Sequence, residues 1–202
     1  NAEGDEITEG DVTPFDSGIS NYSDDSHYDL LSALQKSIRG SDPDATAFYL
    51  CRLLEAGELL SVCRRLQVIA SEDVGLAYPL AATVTHSCCE SARQLGMPEA
   101  RIPLVNAAIL LATAPKSNSA YSAYAAALAD VEKGLGHTPP THLQAPLYKG
   151  YKYPHEYKNH YLKQQYLPDD LASRVYYEFG ENKTEAAARA YAEAIGSYKG
   201  KK

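Results

Sequence analysis

A chain of 202 residues, 45% apolar and 22% charged, has the length of one domain, or of one domain with a tail, and an ordinary globular composition. No apolar run reaches the roughly 18 residues of a membrane span, no basic-then-apolar start marks a signal peptide, and four cysteines are too few for a disulfide scaffold; a membrane protein and a small secreted protein are both disfavoured. The net charge of −7 comes from residues 1–29, which hold nine acids and no Lys or Arg, so residues 30–202 carry +2 and bulk charge argues neither for nor against nucleic acid.

Residues 1–26 read as an acidic, flexible leader, because Gly4, Gly10, Pro14 and Gly18 interrupt them and few apolar side chains offset the entropy of ordering. The first residue is Asn1 rather than Met, from which a piece of a longer protein is expected. A first helix follows from the stripe Leu30, Leu31, Leu34 and Ile38 and stops at Gly40. Asp42 then Pro43 is an N-cap with proline at the first helical position, opening a second helix through Leu50, Leu53 and Leu54 to Gly57. Leu59, Val62, Leu66 and Ile69 form a third, closed near Gly75. Pro79 starts a fourth with Leu80, Val84, Cys88, Ala92 and Leu95 on its inner face and Gly96 at its end.

The fifth segment, Ile102 to Ala114, is apolar around most of its circumference, which places it at the centre of a bundle or under another subunit. Ser117 caps a sixth helix whose Tyr121, Tyr124, Leu128, Val131 and Leu135 alternate by three and four. Residues 137–168 hold five prolines and lose the helical period; within 146–168 lie six tyrosines and four lysines against the single acid Glu156. A last helix, about Thr184 to Ile195, reads as weakly anchored, with a basic tail over 181–202. No run alternates with period two, so the predicted fold is all-α: a helical bundle over 27–180 with an irregular Tyr/Lys/Pro-rich segment in it.

Chemistry of its own is hard to find in this chain. His155-Glu156 with His160 is one residue too long for a zincin pair, since positions five apart splay on a helix. Lys116-Ser117 lacks the glycines of a phosphate loop, and Pro115 has no N–H to offer a phosphate. Glu72-Asp73 are adjacent and do not face each other on a helix, which suits a helix end better than acid–base work. Cys51, Cys63, Cys88 and Cys89 contain no Cys-x-x-Cys and read as buried free thiols of a reducing cytoplasm.

Four segments carry more information together. They are His27-Tyr28-Asp29-Leu30 leading to Lys36-Ser37-Ile38-Arg39-Gly40-Ser41-Asp42-Pro43-Asp44-Ala45; Arg64-Arg65-Leu66 leading to Ala70-Ser71-Glu72-Asp73-Val74-Gly75; Ala114-Pro115-Lys116-Ser117-Asn118; and Gly150-Tyr151-Lys152-Tyr153-Pro154-His155 with Gln165-Tyr166-Leu167-Pro168. In this order and spacing they resemble the C-terminal region of the replication-associated recombination protein A family, AAA+ ATPases related to clamp loaders and similar to the Werner-helicase-interacting ATPases. The sequence departs from that family before His27, where Tyr22-Ser23-Asp24-Asp25 replaces a basic approach, and at Gln144, where an arginine is common.

The resemblance implies a helical domain similar to the clamp-loader collar, through which the ATPase assembles as a homotetramer. It places ATP and Mg²⁺ in an ATPase core N-terminal to this region, none of which is present here, so no catalytic, cofactor or metal residue is assigned. It implies action at stalled forks in the cytoplasm, at the nucleoid, on DNA that is single-stranded or has ends, together with single-strand-binding protein and with no membrane partner. The expected oligomer interface is Leu104, Leu110 and Leu111 of the fifth helix, although that helix also reads as the middle of a monomeric bundle. The alternative function is a DNA-binding module using Arg39, Lys116, Lys149, Lys152, Tyr151 and Tyr153, extended by Arg64-Arg65. Against it stands a structural role, in which the tyrosine rings pin the irregular segment to the core and the lysines only solvate it. A stand-alone metal-dependent hydrolase on His155, Glu156 and His160 is the weakest reading.

Overall fold

The computed structural model describes residues 24–146 and 148–200. Seven α-helices run in chain order: α1 (Asp24–Arg39), α2 (Pro43–Glu55), α3 (Leu59–Ile69), α4 (Leu80–Leu95), α5 (Arg101–Thr113), α6 (Ser119–Glu132) and α7 (Lys183–Ile195), with no strand among the described residues. Residues 1–23 of the acidic leader lie outside the described part, and α1 takes in its last three residues.

α1 to α5 form the core, with α5 packed against the other four. Leu34, Ile38, Leu50, Leu53, Leu66, Ile69, Leu104 and Leu111 are wholly buried there. Each such side chain adds roughly 1.5–3 kcal/mol relative to exposure. The predicted start of α2 is present as read. Asp42 accepts a hydrogen bond on Oδ1 from Ala45 N–H at 2.9 Å, Pro43 takes the first helical position, and the Thr46 hydroxyl donates to the Asp42 carbonyl at 2.6 Å.

α4 turns a different face inward from the one its large residues suggest. Ala81, Thr85, Cys89 and Ala92 are buried, while Leu80 and Leu95 are more than half exposed. Small side chains at i, i+4, i+8 and i+11 let the α4 backbone approach α3 and α5 closely, and that packing outweighs the pull of two leucines. The cysteine reading shifts accordingly. Cys63 and Cys89 are the buried pair, with the Cys89 thiol directed at the Cys63 carbonyl at 3.6 Å; Cys88 is half-buried and Cys51 is exposed on α2.

α3 does not run on to Gly75. It gives way to a π-helical turn over Ala70–Val74 and a 3₁₀ turn over Gly75–Ala77. Gly75 has φ +46°, and a Cβ there would stand 2.6 Å from the Ser117 carbonyl oxygen, so only glycine fits where the entry to α6 crosses this turn. The Ser117 N–H donates to the Asp73 carbonyl at 2.8 Å at the same crossing.

α6 is held by polar groups rather than by its apolar ones. Ser119, Ala123, Ala127 and Asp130 share the inner face, whereas Tyr121, Tyr124, Leu128 and Val131 point to solvent, Tyr124 and Val131 at 68% and 64% exposure. Asp130 is buried and accepts from the Arg174 guanidinium through both oxygens at 2.9 Å and from the Tyr176 hydroxyl at 3.0 Å. At the other end the Ser119 hydroxyl donates to Glu185, which also accepts from Tyr177 OH at 2.9 Å and from the Gly180 N–H at 3.1 Å.

That same Glu185 is the buried residue of α7 and ties its first turn to the body. Its side chain is 1% exposed, Asn182 caps the helix by accepting from Glu185 N–H at 3.0 Å, and Thr184 donates to the Ala77 carbonyl at 2.9 Å. The first turn of α7 is fixed through these groups, although Lys183 and Thr184 are themselves exposed and Ala186–Tyr191 are exposed as well. Burial alone would raise the Glu185 pKa, but the hydroxyls of Ser117 and Ser119, the Gly180 N–H and the Asn182 amide hold it down, at about 2 against an ordinary 4.5. A carboxyl with a depressed folded pKa contributes stability that is complete above its ordinary value and is lost as pH falls through the folded one. Denaturant unfolding of the wild type and Glu185→Gln should accordingly differ by about 2 kcal/mol at neutral pH. The two curves should converge as pH falls from 4.5 to about 2. Parallel curves over that range would mean the charge is not used.

Candidate functional site

Three of the four segments singled out in the sequence meet at one place. Arg39 at the end of α1 donates from Nε to Asp73 Oδ1 and from Nη2 to Glu72 Oε1 at 3.3 Å. Gln35, one turn earlier, donates to Asp73 at 3.3 Å and accepts from Arg65 at 2.8 Å. Lys116 reaches across from the α5–α6 connection to Ser41 Oγ at 3.1 Å and to the carbonyls of Ala112 and Ala114 at 2.9 and 2.6 Å. Arg39, Glu72, Asp73 and Lys116 line a cleft of about 420 Å³ together with Ser117, Asn118 and Tyr121.

The electrostatics of this junction are closed. The Asp73 hydrogen bond raises the Arg39 pKa above its ordinary value, and burial lowers that of Lys116. Arg39 and Lys116, expected as DNA contacts, both bond within the chain: one pairs with a buried carboxylate while its side chain stays half exposed, the other fills the acceptors at the C-terminus of α5. Arg65 is likewise held by Gln35, leaving Arg64 exposed. The arrangement fixes where α6 leaves the core.

The fourth segment lies apart from this cleft and is open to solvent. Lys149 and Lys152 are exposed, and so are the rings of Tyr148, Tyr151, Tyr153, Tyr157 and Tyr166. Tyr161 is the most covered of the six tyrosines, its hydroxyl donating to the Gly196 carbonyl at 3.0 Å. Tyr151, Tyr157 and Tyr166 keep about two-fifths of their surface in solvent. Polar groups within the segment also shape it, since the Gln164 amide donates to the Lys152 carbonyl at 3.0 Å and to Tyr166 OH at 2.8 Å.

His155 and His160 do come together, with ring centroids 4.9 Å apart, because the backbone makes two 3₁₀ turns at Pro154–Glu156 and Lys158–His160 rather than a helix. Among the described residues no third His, Cys, Asp or Glu joins them in a metal-holding group.

The three residues expected at an oligomer interface differ in exposure. Leu104 and Leu111 are wholly buried by helices of their own chain, Leu110 is half-buried, and Ile102 and Val105 are the large apolar residues that α5 leaves exposed. The large exposed apolar stripe is on α6, where the spacing of its residues was legible but not the direction they face. Asp130 and Glu185, which set that direction, gave no such sign. Asn182-x-x-Glu185 has the form of a capping box, which signals a helix start but not a buried carboxylate.

Comparison with known proteins places this geometry. Residues 40–196 match the family model described as MgsA AAA+ ATPase C terminal. Replication-associated recombination protein A of Bacillus subtilis is 52% identical over 163 residues, covering 76% of this chain and 39% of the relative. The protein of the same name from Escherichia coli K12 is 40% identical over 164 residues, 76% of this chain and 37% of its own. ATPase WRNIP1 of Dictyostelium discoideum is 38% identical over 166 residues, 77% of this chain and 19% of its own. The chain thus spans less than two-fifths of the length of these relatives, and it belongs to the family of MgsA-type AAA+ ATPase C-terminal regions.

Proposed function

We propose that this chain is the assembly module of an AAA+ ATPase that acts in DNA replication, recombination and repair at stalled forks. The observation that carries this reading is α6. A helix free of charge from Ser119 to Ala129 presents Tyr121, Tyr124, Leu128 and Val131 to water, and its inner face is already satisfied by Asp130 and Ser119. A contiguous apolar stripe of that size on a folded chain is characteristic of an interface. The names of the relatives support the cellular role, as replication-associated recombination proteins and an ATPase. ATP and Mg²⁺ then act in the part of such a protein that lies outside this chain. Single-strand-binding protein is the expected partner at the fork, and the cytoplasmic nucleoid the expected location.

Size-exclusion chromatography with light scattering tests the reading directly. The chain should run as a closed oligomer at micromolar concentration, a homotetramer on the assembly proposed. Leu128→Asp should give monomers with unchanged helicity by circular dichroism, because the side chain it replaces is exposed in the single chain. A monomeric wild type would overturn the reading.

A second function, DNA binding by the Tyr/Lys segment, is favoured by the exposure of its rings and ammonium groups. Stacked bases need uncovered aromatic faces, and phosphates need cations not already paired. Each phosphate contact contributes about 0.7 to the salt slope of single-strand binding, so Lys149→Ala with Lys152→Ala should flatten that slope by about 1.4. Tyr153→Ala should weaken binding by roughly 1–3 kcal/mol per stacked base, with thermal stability unchanged. Titration of a fluorescent oligonucleotide at several salt concentrations reads both; an unchanged slope would return the lysines to solvation.

A further inference from the structure

A second cavity lies between the turn after α7 and the chain from Leu167 to Phe179. Gly196 closes α7 at φ +79°, a conformation that glycine adopts without strain, and the Ser197 and Tyr198 N–H groups both return to the Ala192 carbonyl, at 2.9 and 3.2 Å. The turn thereby folds Tyr198 back onto the helix, where the Arg189 guanidinium lies 5.0 Å from its ring centre. On its other side Tyr198 meets Phe179, with 6.0 Å between ring centroids, and Phe179 meets Tyr177 edge to face at 4.8 Å. With Tyr176 these rings wall a cavity of about 350 Å³, to which Leu167 and Val175 add apolar surface and Lys199 an exposed cation.

Two of the rings are held by their hydroxyls. Tyr176 OH donates to the buried Asp130 at 3.0 Å and Tyr177 OH to the buried Glu185 at 2.9 Å, so both phenols are engaged inside the chain and what they offer a ligand is ring surface. All four rings are half-buried, and no acidic residue lines the cavity among the described residues. Of the two lining cations Arg174 is already paired with Asp130, whereas Lys199 is exposed and outside any ion pair among the described residues. Aromatic walls attract two kinds of ligand, flat π-systems and organic cations, and a cation would meet an ammonium of its own sign here. A flat ring that carries an anionic group satisfies both the walls and Lys199. We propose that this cavity is a nucleotide site, in which a nucleobase stacks among Tyr177, Phe179 and Tyr198 and its phosphate pairs with Lys199. That chemistry is shared by a free nucleotide and by a nucleotide within a strand. The site uses neither the outer stripe of α6 nor Lys149, Lys152 and the tyrosines between 148 and 166, so it stands apart from both readings above.

Saturation-transfer NMR and calorimetry on the full chain, with deoxyadenosine 5′-monophosphate as the probe, test the site. The adenine protons should take up saturation from the protein, and inorganic phosphate at equal concentration should leave the nucleotide bound. Phe179→Leu keeps an apolar side chain and removes the π face, and should weaken binding about fivefold or more. Lys199→Ala should weaken the nucleotide by about two- to fivefold and leave deoxyadenosine, which has no phosphate, bound as before. Thermal melts verify folding, and because Lys199 is exposed its variant keeps the test decisive should Phe179→Leu fail to fold. Lys149→Ala with Lys152→Ala should bind the mononucleotide as the wild type does. A single-stranded deoxyadenosine octamer that displaces the mononucleotide would assign the cavity to bases of a strand, and one that leaves it bound would assign the cavity to free nucleotide. Absence of saturation transfer at millimolar nucleotide would overturn the site, as would a folded Phe179→Leu with wild-type affinity. Loss of mononucleotide binding in the double-lysine variant would move the nucleotide to the Tyr/Lys segment and overturn the cavity as its site, while leaving the DNA-binding reading in place.

Discussion

The carboxylate of Asp130, closed on the Arg174 guanidinium beneath α6, decides which way that helix faces. An amphipathic helix left to the hydrophobic effect would turn Tyr121, Tyr124, Leu128 and Val131 inward. Here the opposite side carries a buried charge that must stay paired, since an unpaired carboxylate in that position costs several kcal/mol. Glu185 repeats the arrangement at the other end of the helix, and Gly75 allows the chain to cross into it. The apolar stripe is outside because the acids are inside.

This also explains how much could be read beforehand. The α1–α3 stripes and the Asp42-Pro43 cap were legible because large apolar residues on those helices do face the core. α4 and α6 were not, because Ala81, Thr85 and Cys89 in one and Ala123, Ala127 and Asp130 in the other make the inner face out of small or paired polar groups. Periodicity gives the angle between stripes on a helix and says nothing about which stripe is covered. The partner of Asp130 lies 44 residues away in an irregular segment, a separation at which sequence carries no pairing signal.

The segments that carry the family resemblance divide in the same way. Three of them build a polar junction in which Arg39 and Lys116 bond to Asp73, Glu72, Ser41 and backbone carbonyls. The basic residues are visible in the sequence, and their side-chain acceptors, 33 to 75 residues away, are not. The fourth segment keeps its lysines in solvent and its tyrosine rings partly so. In this molecule the junction sets the geometry of α6.

The central claim is that the outward stripe of α6 becomes buried when copies meet. Hydrogen exchange followed by mass spectrometry, on the peptide spanning Ser119–Glu132 over a range of protein concentrations, tests it most directly. Protection of that peptide should rise with concentration, while the peptide carrying Leu34 and Ile38 of α1, wholly buried in the single chain, stays constant. Exchange in α6 that does not depend on concentration, in a preparation that is oligomeric by light scattering, would contradict it.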